Sequence, residues 1–253
     1  MRIIAFSNQK GGVGKSTSCI NIAAALGMVN KSSLVIDMDP QGNTTTGLGI
    51  NETDSIKTVY DCLTDELPLK EAIISTKFKG VDIVPADITL ANAELEIASV
   101  MGRESLLKDS IALEIPDYDY IFIDLPPNLG LLTINGLVAA DEVIIPVDVS
   151  IFAISGVAQL IKVINMVRKK LNPRLCITGA LLTKVDARTN LSREIHQTMQ
   201  EYFGNRLFKN VIHQNIKIAE AQKEQMPVSY YDPKCKGAEE YSEVAKEVLE
   251  GIK

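Results

Sequence analysis

The chain lacks the features that would send it into or across a membrane. It has no run of about 18 apolar residues, so the sequence predicts no membrane-spanning helix. Its first residues, MRIIAFSNQ, contain too short an apolar stretch for a signal peptide and lead directly into a group of glycines. These two absences predict a cytoplasmic protein.

Cysteine and histidine are scarce, and their spacing does not suit a metal site. The four cysteines are Cys19, Cys62, Cys176 and Cys235. They form no C-x-x-C pair, which argues against a zinc site or a disulfide framework. Cys19 and Cys176 lie in apolar segments and are predicted to be buried thiols. Neither His196 nor His213 has a metal-ligand partner at helical spacing.

No linker rich in proline, glycine or serine divides the chain, and it has no internal repeat. With 253 residues, 46% of them hydrophobic and 23% charged, the composition is that of an ordinary globular protein. We therefore expect residues 1–253 to form a single domain. The chain also has no surplus of basic residues, since its net charge is −6 and its pI about 5.1. Taken alone, this acidic charge disfavours nucleic acid as a partner.

Short apolar runs alternate with longer helical patterns along the whole chain. Strands are predicted at Arg2–Ser7, Ser33–Met38, Val81–Pro85, Tyr118–Asp124, Glu142–Val147, Ile177–Lys184 and Leu207–Ile212. Helices are predicted at Lys15–Val29, around Val157–Val167, at Ser192–Phe203 and at Glu239–Leu249. The strand runs are continuously apolar, which is typical of parallel strands covered on both faces. The pattern predicts an α/β fold, a doubly wound, mostly parallel sheet with helices on both faces and ligands at the carboxyl ends of its strands.

A glycine-rich loop, QKGGVGKST at residues 9–17, joins the first predicted strand to the first helix. Its end matches the phosphate-binding pattern G-x-x-x-x-G-K-[ST], although Gln9 stands where that pattern has glycine. The predicted nucleotide-contacting residues are Gly11, Gly12, Val13, Gly14, Lys15, Ser16 and Thr17. Lys15 would contact the β- and γ-phosphates, and the Ser16 hydroxyl would ligate Mg²⁺. The alternative is a purely structural glycine turn.

Three acidic residues end predicted strands at the same edge of the sheet. Asp37 and Asp39 lie in LVIDMDP, and Asp124 ends IFID. Alternation along a strand puts Asp37 and Asp39 on one side, so both can approach the phosphates. Carboxylates here can hold the water shell of a magnesium ion. Alternatively, any one of them is a solvent-facing acid with no such role.

Lys10 is a second lysine at the entry of the loop, five residues before Lys15. Because Lys15 already serves the nucleotide of its own subunit, the position of Lys10 suggests that its side chain turns outward, towards a neighbouring molecule. An exposed, solvated lysine is the alternative.

Several motifs in order resemble the ParA/MinD group of P-loop ATPases. The loop KGGVGKS resembles the group's deviant phosphate loop. The segments DMDPQGNTTTGLGI, IDLPPNLGLLTINGL, LLTKVDARTNLS and NIKIAEAQKEQMPVSYYDPKCKGAEEY resemble its chromosome-type ParA (Soj) branch. The resemblance runs from Ile3 to about Leu249. It implies a P-loop NTPase fold and an ATPase that uses ATP and Mg²⁺.

The resemblance also implies roles for the lysine and the acids. Lys10 would reach across an ATP-sandwich homodimer to the phosphates held by the other subunit. Asp39 would position the attacking water. Asp124 would be the acid near magnesium, and Asp37 the acid beside it. In such proteins the ATP dimer binds double-stranded DNA without sequence specificity, and a ParB-type partner stimulates hydrolysis and releases the dimer, which implies association with the nucleoid.

The chain departs from that family where the adenine and the DNA would lie. It has His213-Gln214-Asn215 in place of Pro-Arg-Asn, so the resemblance assigns nucleotide contacts to Asn215 and His213. Arg188 matches a DNA-contacting arginine. Three further DNA-binding residues replace family arginines: Lys217, Lys234 and Lys236. Lysine keeps the charge but loses bidentate phosphate geometry, which predicts weaker DNA binding than an arginine-rich relative has.

The acidic net charge does not exclude DNA, because binding needs only a local patch. Residues 205–237 contain six basic and three acidic residues, a local charge of +3. The rival is a MinD-like membrane ATPase, which needs a basic amphipathic C-terminal helix; EEYSEVAKEVLEGIK is acidic. A metabolic enzyme is another rival. A nitrogenase-iron-protein-like reductase needs paired cysteines, and an ATP-dependent ligase needs a substrate site of which the sequence carries no sign.

Overall fold

The computed structural model describes residues 1–51, 56–113, 115–150 and 153–251. The strands are β1 (Arg2–Phe6), β2 (Ser33–Asp37), β3 (Ile74–Ser75), β4 (Val81–Val84), β5 (Tyr120–Asp124), β6 (Glu142–Asp148) and β7 (Cys176–Thr183). The helices are α1 (Lys15–Met28), α2 (Asn43–Gly47), α3 (Val59–Thr64), α4 (Leu90–Glu96), α5 (Leu106–Ala112), α6 (Leu131–Ala139), α7 (Ala153–Lys170), α8 (Asn190–Phe203), α9 (Ile216–Lys223), α10 (Val228–Tyr231) and α11 (Lys236–Glu250).

The strands form one sheet in the order β3-β4-β2-β5-β1-β6-β7. Every pair is parallel except β3 with β4, which is antiparallel. Since β1, β2 and β5 are adjacent and parallel, the residues that follow them meet at one edge of the sheet. The predicted α/β fold is confirmed, and this edge carries the glycine-rich loop.

Successive residues of each strand face opposite sides of the sheet, as strand geometry requires. Ala5 of β1 packs on the side of α6 and α7, whereas Ile4 and Phe6 pack on the side of α1 and α11. The Phe6 and Phe122 rings meet edge to face, with centroids 5.6 Å apart. Both faces are therefore covered, which explains why the strand sequences are continuously apolar.

The strand predicted at Leu207–Ile212 is wrong. This segment makes only isolated parallel bridges, Ala180 to Leu207 and Val185 to His213. Between them the amides of Lys209 and Asn210 donate to the carboxylate of Glu247 on α11, both at 2.9 Å. The amides of Phe208 and Ile212 do donate to β7, so the ladder is interrupted where the Glu247 carboxylate binds the two amides between them.

One further expectation fails at the start of the edge strand β7. Cys176, which we expect to be buried from its apolar neighbours, is exposed because it is the first residue of β7, whose outer side pairs only through isolated bridges. Cys19 is buried in α1, as expected. In the part of the chain that the structure describes, no helix is long and apolar enough to cross a membrane.

Gly27, in the last turn of α1, has no room for a side chain. A Cβ built on it would lie 1.9 Å from the carbonyl oxygen of Lys79. Because that neighbour is backbone, we expect Gly27→Ala to lower the free energy of unfolding by about 3 kcal/mol. Gly156, inside α7, is the matched control, since its Cβ would meet nothing nearer than 4.0 Å. Gly156→Ala should be neutral or stabilising by up to about 1 kcal/mol. Urea unfolding of both variants tests this, and equal effects would contradict it.

Candidate functional site

The loop after β1 turns through two glycines in left-handed conformations before it enters α1. Gly12 has φ 74° and Gly14 has φ 87°, backbone angles that residues other than glycine rarely adopt. Gly14 directly precedes the first residue of α1, Lys15. The loop thus brings its backbone to the N-terminus of a 14-residue helix, whose positive end attracts anions.

The end of β7 braces the loop from one side. The hydroxyl of Thr183 donates to the carbonyl oxygen of Val13 at 2.7 Å. Lys184 Nζ donates to the carbonyl oxygen of Gly12 at 2.6 Å, and Lys184 itself has a positive φ of 54°. The carbonyls of the loop are therefore held by protein donors on one side. Sequence reasoning missed both residues, which stand in the LLTK segment.

A cleft of about 1030 Å³ opens above the loop at the carboxyl edge of the sheet. Predicted nucleotide contacts lining it are Gly11, Gly12, Gly14, Lys15, Ser16, Thr17, His213 and Asn215, together with Asp39. Val13 is instead fully buried beneath the loop. Residues that lie some 200 positions apart in the sequence thus line the same cleft.

Lys15 is almost withdrawn from solvent, with 6% of its surface exposed. Burial lowers the pKa of its ammonium group, while the negative charges of Asp124 and Asp39 act in the opposite direction. A partly desolvated cation between two acids is held in place at the floor of the cleft. It interacts strongly with any phosphate that reaches it, because few waters screen the charge.

The two strand-end acids behind the loop differ in how their oxygens are used. Asp37 accepts from the Thr45 amide at 2.9 Å, the Thr45 hydroxyl at 2.8 Å and the Asp39 amide at 3.1 Å, so both its oxygens are occupied. Asp124 accepts from the Thr44 hydroxyl at 2.7 Å through Oδ2. Its Oδ1 is a buried atom without a hydrogen-bonding partner among the described residues.

Burial disfavours the charged form of both carboxyl groups, Asp37 and Asp124. Burial raises the pKa of Asp37, and the charge of Asp124 raises it further. Burial also raises the pKa of Asp124, while the nearby Ser16 and Thr44 hydroxyls and the Lys15 charge oppose that rise. An additional cation next to this pair would relieve its repulsion.

The structure fits a magnesium site of a particular kind. The described ranges contain no cluster of three or more His, Cys, Asp or Glu side chains able to hold a metal ion. The available protein oxygens are the Ser16 hydroxyl, which lines the cleft, and the unpaired Oδ1 of Asp124 behind it. A hard cation with few protein ligands, completed by water and phosphate oxygens, is the usual arrangement for Mg²⁺. Asp37, with both oxygens occupied, supports this site from behind.

Asp39 is the acid that reaches the cleft itself. It is 6% exposed, and its Oδ1 accepts from the backbone amide of Gln41 at 3.0 Å. Its own amide donates to Asp37, which fixes the turn that carries it. Asp39 is thus held close to Lys15 by the turn after β2.

Lys10 does not face the cleft. Its ammonium group pairs with Asp148 at the end of β6 and donates to the Ser150 hydroxyl at 2.9 Å. Its backbone amide donates to Asn8 Oδ1 at 3.0 Å. Within one copy of the chain the charge of Lys10 is therefore paired with Asp148, and its reach towards a neighbouring molecule stays a prediction.

His213 and Asn215 line the cleft from the segment between β7 and α9. His213 Nδ1 is 2.6 Å from Glu240 Oε1 on α11. The Asn215 side chain accepts from the Lys217 amide at 2.8 Å and so caps the N-terminus of α9. Helix α9 also contacts α1 directly, because Gln222 Nε2 donates to the Thr17 hydroxyl at 2.6 Å.

The four residues predicted to bind DNA lie on the surface, and three of them are paired with acids. Arg188 makes a bidentate contact to Asp186 at 2.9 and 2.8 Å. The other two pairs are Lys217 with Glu220 at 2.8 Å and Lys236 with Glu240 at 3.5 Å. Lys234 is exposed and makes no side-chain ion pair in the described part of the chain. Exposed pairs such as the first two contribute little stability.

Two features bear on the rival functions. Helix α11 buries its apolar residues Tyr241, Val244 and Val248 in the core on the side of α1, so this face is already covered by protein. Cys19 and Cys62 are buried, whereas Cys176 is exposed. Cys235 is half-buried and its thiol caps the N-terminus of α11 by accepting from the Ala238 amide, so Cys176 is the one fully exposed thiol among the described residues.

Comparison with known proteins gives one consistent relationship. Residues 1–177 match a family described as "AAA domain". The sporulation initiation inhibitor protein Soj of Bacillus subtilis is 45% identical over 247 residues, covering 98% of each chain. The chromosome partitioning protein ParA of Caulobacter vibrioides is 41% identical over 251 residues, covering 98% of this chain and 94% of its own.

Solved structures agree with the fold. A cobyrinic acid a,c-diamide synthase from Mycobacterium smegmatis, with bound ADP and magnesium, superposes with a TM-score of 0.86 at 35% identity, covering 98% of this chain and 94% of its own. The septum site-determining protein MinD of Pyrococcus horikoshii, complexed with Mg-ADP, has a TM-score of 0.81 at 28% identity, with 99% and 98% covered. From the near full-length match to Soj and ParA, together with the phosphate loop and the parallel sheet, the chain belongs to the ParA/Soj family of P-loop partitioning ATPases.

Proposed function

We propose that the protein partitions DNA as an ATP-dependent homodimer that binds double-stranded DNA without sequence specificity and leaves it after hydrolysis. The observation that carries this proposal is the cleft lined by Lys15 and Ser16, the first residues of α1, and by Asp39, together with the buried, unpaired Oδ1 of Asp124. This arrangement supports ATP and Mg²⁺ as the ligands.

Phosphate binding in the proposal uses groups of one subunit. The amides of the glycine turn and the N-terminus of α1 take the phosphate oxygens, and Lys15 neutralises their charge. The Thr183 and Lys184 contacts keep the loop carbonyls turned towards β7, so that its amides remain free for the nucleotide. Little reorganisation is then needed on binding.

The residues that would hold Mg²⁺ are Ser16 and Asp124, with Asp37 behind them. When bound, this ion supplies positive charge that neutralises the phosphate oxygens as the bond to the γ-phosphate breaks. Thr44 and Thr45 orient the two carboxylates by donating to them. Asp39, at the cleft wall, positions the water that attacks the γ-phosphate.

Lys10 acts in the partner subunit in this proposal. To reach the other copy's phosphates, it must exchange its contacts with Asp148 and Ser150 for phosphate oxygens. Its side chain is 38% exposed in the single copy, so solvent already weakens the pair with Asp148. ATP in the neighbouring cleft supplies the stronger negative charge.

DNA binding in the proposal uses Arg188, Lys217, Lys234 and Lys236. The loop that carries Arg188 adjoins the segment leading to α9, through the bridge between Val185 and His213 and the bond from the Gln214 amide to Val185. Gly237, at the start of α11, lies against Ile218 of α9. The basic residues thus come from neighbouring elements, and a dimer would double the patch that they form.

Arg188→Glu should abolish most DNA binding while ATP-dependent dimerisation continues. The variant places a repelling charge beside Asp186 in each subunit, so we expect at least about a tenfold loss of affinity for mixed-sequence duplexes. Filter binding or fluorescence anisotropy with Mg·ATP measures the loss. The slope of log affinity against log salt should also become shallower, because it scales with the number of phosphate contacts.

Arg193→Glu is the matched control, since Arg193 is an exposed arginine within α8 that is not assigned to the DNA surface. It has the same charge change and should bind DNA nearly as wild type does. If Arg188→Glu binds DNA like wild type, or if both variants lose binding equally, the assigned surface is wrong.

Stimulation by a ParB-type protein and association with the nucleoid complete the proposal, supported by the 45% identity to Soj. The weak intrinsic ATPase activity should rise with DNA and the cognate partner. A MinD-like membrane role remains the alternative, and its proposed membrane face on α11 is buried here. ATP-dependent co-sedimentation with liposomes, without DNA stimulation, would favour it. ATP turnover that requires an added carboxylic acid and an amine donor would instead favour an amide synthase.

A further inference from the structure

Basic residues are concentrated in one stretch of the chain, most of which has no part in the proposed function. Residues 149–185 contain six basic residues and no acidic residue, although the whole chain has a net charge of −6. One of the six, Lys184, donates to the phosphate loop. The other five are exposed and make no side-chain ion pair among the residues that the structure describes: Lys162, Arg168, Lys169, Lys170 and Arg174.

Four of these cations lie at the amino edge of the sheet. Arg168, Lys169 and Lys170 belong to the last turn of α7, and Arg174 stands two positions before the first residue of β7. Lys108 of α5 joins them, because Lys108 and Arg174 line the same cavity of about 260 Å³. These five residues are termed the α7 patch.

The turn that carries Arg174 is fixed by Asn172, which is 7% exposed. The side-chain amide of Asn172 donates to three backbone carbonyl oxygens at the end of α6 and just after it, at 2.7 to 3.2 Å. The Asn172 carbonyl oxygen accepts from the Leu175 amide at 3.1 Å. The backbone on both sides of Arg174 is therefore held in place before any ligand binds, which lowers the entropic cost of binding there.

The helix itself explains only part of this charge. Basic residues in the last turn of a helix interact favourably with its dipole, but Arg174 and Lys108 lie outside α7. One acid, Asp141, shares their cavity, and its Oδ2 accepts from the Ile3 amide at 3.2 Å. With two cations and one acid on the cavity wall and three more cations on α7, the patch has a positive surplus that points to an anionic ligand.

The form of α7 favours a nucleic-acid backbone over a lipid surface. Helices that bind membrane surfaces present an apolar face, often with aromatic residues. No aromatic residue lies between positions 153 and 201, and the exposed large apolar side chains of residues 160–175 are Met166 and Leu171 alone. The apolar stripe of α7 is buried in the core: Val157, Leu160, Ile164 and Val167. Exposed cations without an apolar face are what phosphates of a duplex require.

The α7 patch and Arg188 lie beyond opposite ends of β7. This strand has eight residues, which span about 26 Å at about 3.3 Å per residue. In the proposed ATP dimer the two copies face each other across their clefts, at the carboxyl edges of their sheets. The amino edges, which carry the α7 patches, therefore lie at the far ends of the dimer.

We propose that the α7 patch is a second surface for the DNA backbone, and that it takes a different duplex segment from the one held through Arg188, so that the ATP dimer joins two segments. The inference rests on the DNA binding of the proposed function. Non-specific contacts of this kind have Kd values of about 10⁻⁴ to 10⁻⁶ M at physiological salt, so the patch of a single copy retains no DNA by itself. A dimer already bound to DNA meets neighbouring segments at high effective concentration, where a weak contact is enough.

Co-capture of two duplexes tests this inference. A biotinylated mixed-sequence duplex is fixed to beads, and a fluorescent duplex is added with protein, Mg²⁺ and a non-hydrolysable ATP analogue. Wild type should retain the fluorescent duplex. Arg174→Glu should lower its retention at least about eightfold at about 0.1 M salt, the cost of one lost phosphate contact, while the amount of protein on the fixed duplex changes less than about twofold.

Lys162→Glu is the matched control, because it makes a similar charge reversal at an exposed position of α7 outside the patch. It should retain the fluorescent duplex like wild type. Since Arg174 lies outside the helix, its replacement puts no acid at the C-terminus of α7, and ATP-dependent dimerisation of both variants checks that they are folded.

Unchanged co-capture in Arg174→Glu would overturn the inference, as would equal losses in Arg174→Glu and Lys162→Glu. Wild-type protein that binds the fixed duplex and retains no second one would overturn the inference and leave the proposed function standing. Failure to bind the fixed duplex would overturn the proposed function as well. Binding to vesicles of anionic phospholipid that Arg174→Glu weakens, without co-capture of DNA, would replace the duplex by a membrane as the ligand of the patch.

Discussion

Replacing Asp39 by alanine is expected to stop ATP hydrolysis and leave the protein bound to ATP and DNA. Asp39 is the carboxylate that lines the cleft near Lys15, whereas Asp37 and Asp124 are fully buried behind it. Losing a residue that positions the attacking water should reduce turnover at least about 100-fold. Nucleotide binding should persist, because the loop amides, Lys15 and Ser16 are untouched. Phosphate release and DNA retention after ATP addition measure the two effects.

Asp87→Ala is the control for the turn that Asp39 makes. Asp87 also accepts the amide of the residue two positions on, Thr89, at 2.9 Å, but it does not line the cleft. The Asp87→Ala variant should hydrolyse ATP like wild type. Equal loss in both variants, or normal turnover in Asp39→Ala, would contradict the assigned role.

Lys10→Ala should bind ATP as a single subunit and fail to form the ATP dimer. The lysine makes no contact with its own cleft, so its removal leaves the cis phosphate contacts intact. We expect ATP affinity to change less than about threefold, while dimerisation weakens at least about 100-fold, because a buried charge contact to phosphate is lost at each of two symmetric sites. Calorimetry gives the first value and light scattering the second.

Asp148→Asn tests the same lysine in the opposite direction. It removes the charge that holds Lys10 within its own subunit, so the dimer should form at ATP concentrations several-fold lower than in wild type. If Asp148→Asn and Lys10→Ala both lose dimerisation, the pair supports the shape of the loop and Lys10 has no role in the neighbouring subunit.

Local pattern was enough to predict the phosphate loop and every strand of the sheet except the short β3. Continuous apolar runs predict buried parallel strands. The predicted strand ends at Asp124 and Met38 lie within one residue of the observed ends of β5 and β2. Gly12 and Gly14 adopt the left-handed backbone conformations that glycine reaches most easily. These features depend on neighbours in sequence, which a single chain displays directly.

Features that depend on distant partners could not be predicted. Asp148 pairs with Lys10 from 138 positions away, and Glu240 of α11 contacts His213 from 27 positions away. The strand expected at Leu207–Ile212 is interrupted where Glu247 of α11 binds the amides of Lys209 and Asn210. The hydroxyls of Thr44 and Thr45 support the acids, and the run of three threonines after Asp39 was the signal that could have revealed them. Side-chain acceptors from remote helices leave no periodic trace in sequence.

The central claim is that Mg·ATP joins two copies of the chain and that the joined pair holds DNA. Sedimentation of the Asp39→Ala variant with a short mixed-sequence duplex tests it most directly. With Mg·ATP, the account predicts complexes that contain two copies of the 27.6 kDa chain per bound unit, and with Mg·ADP it predicts single copies free of DNA. Single copies in the presence of ATP, or equal DNA binding with ADP and ATP, would contradict it.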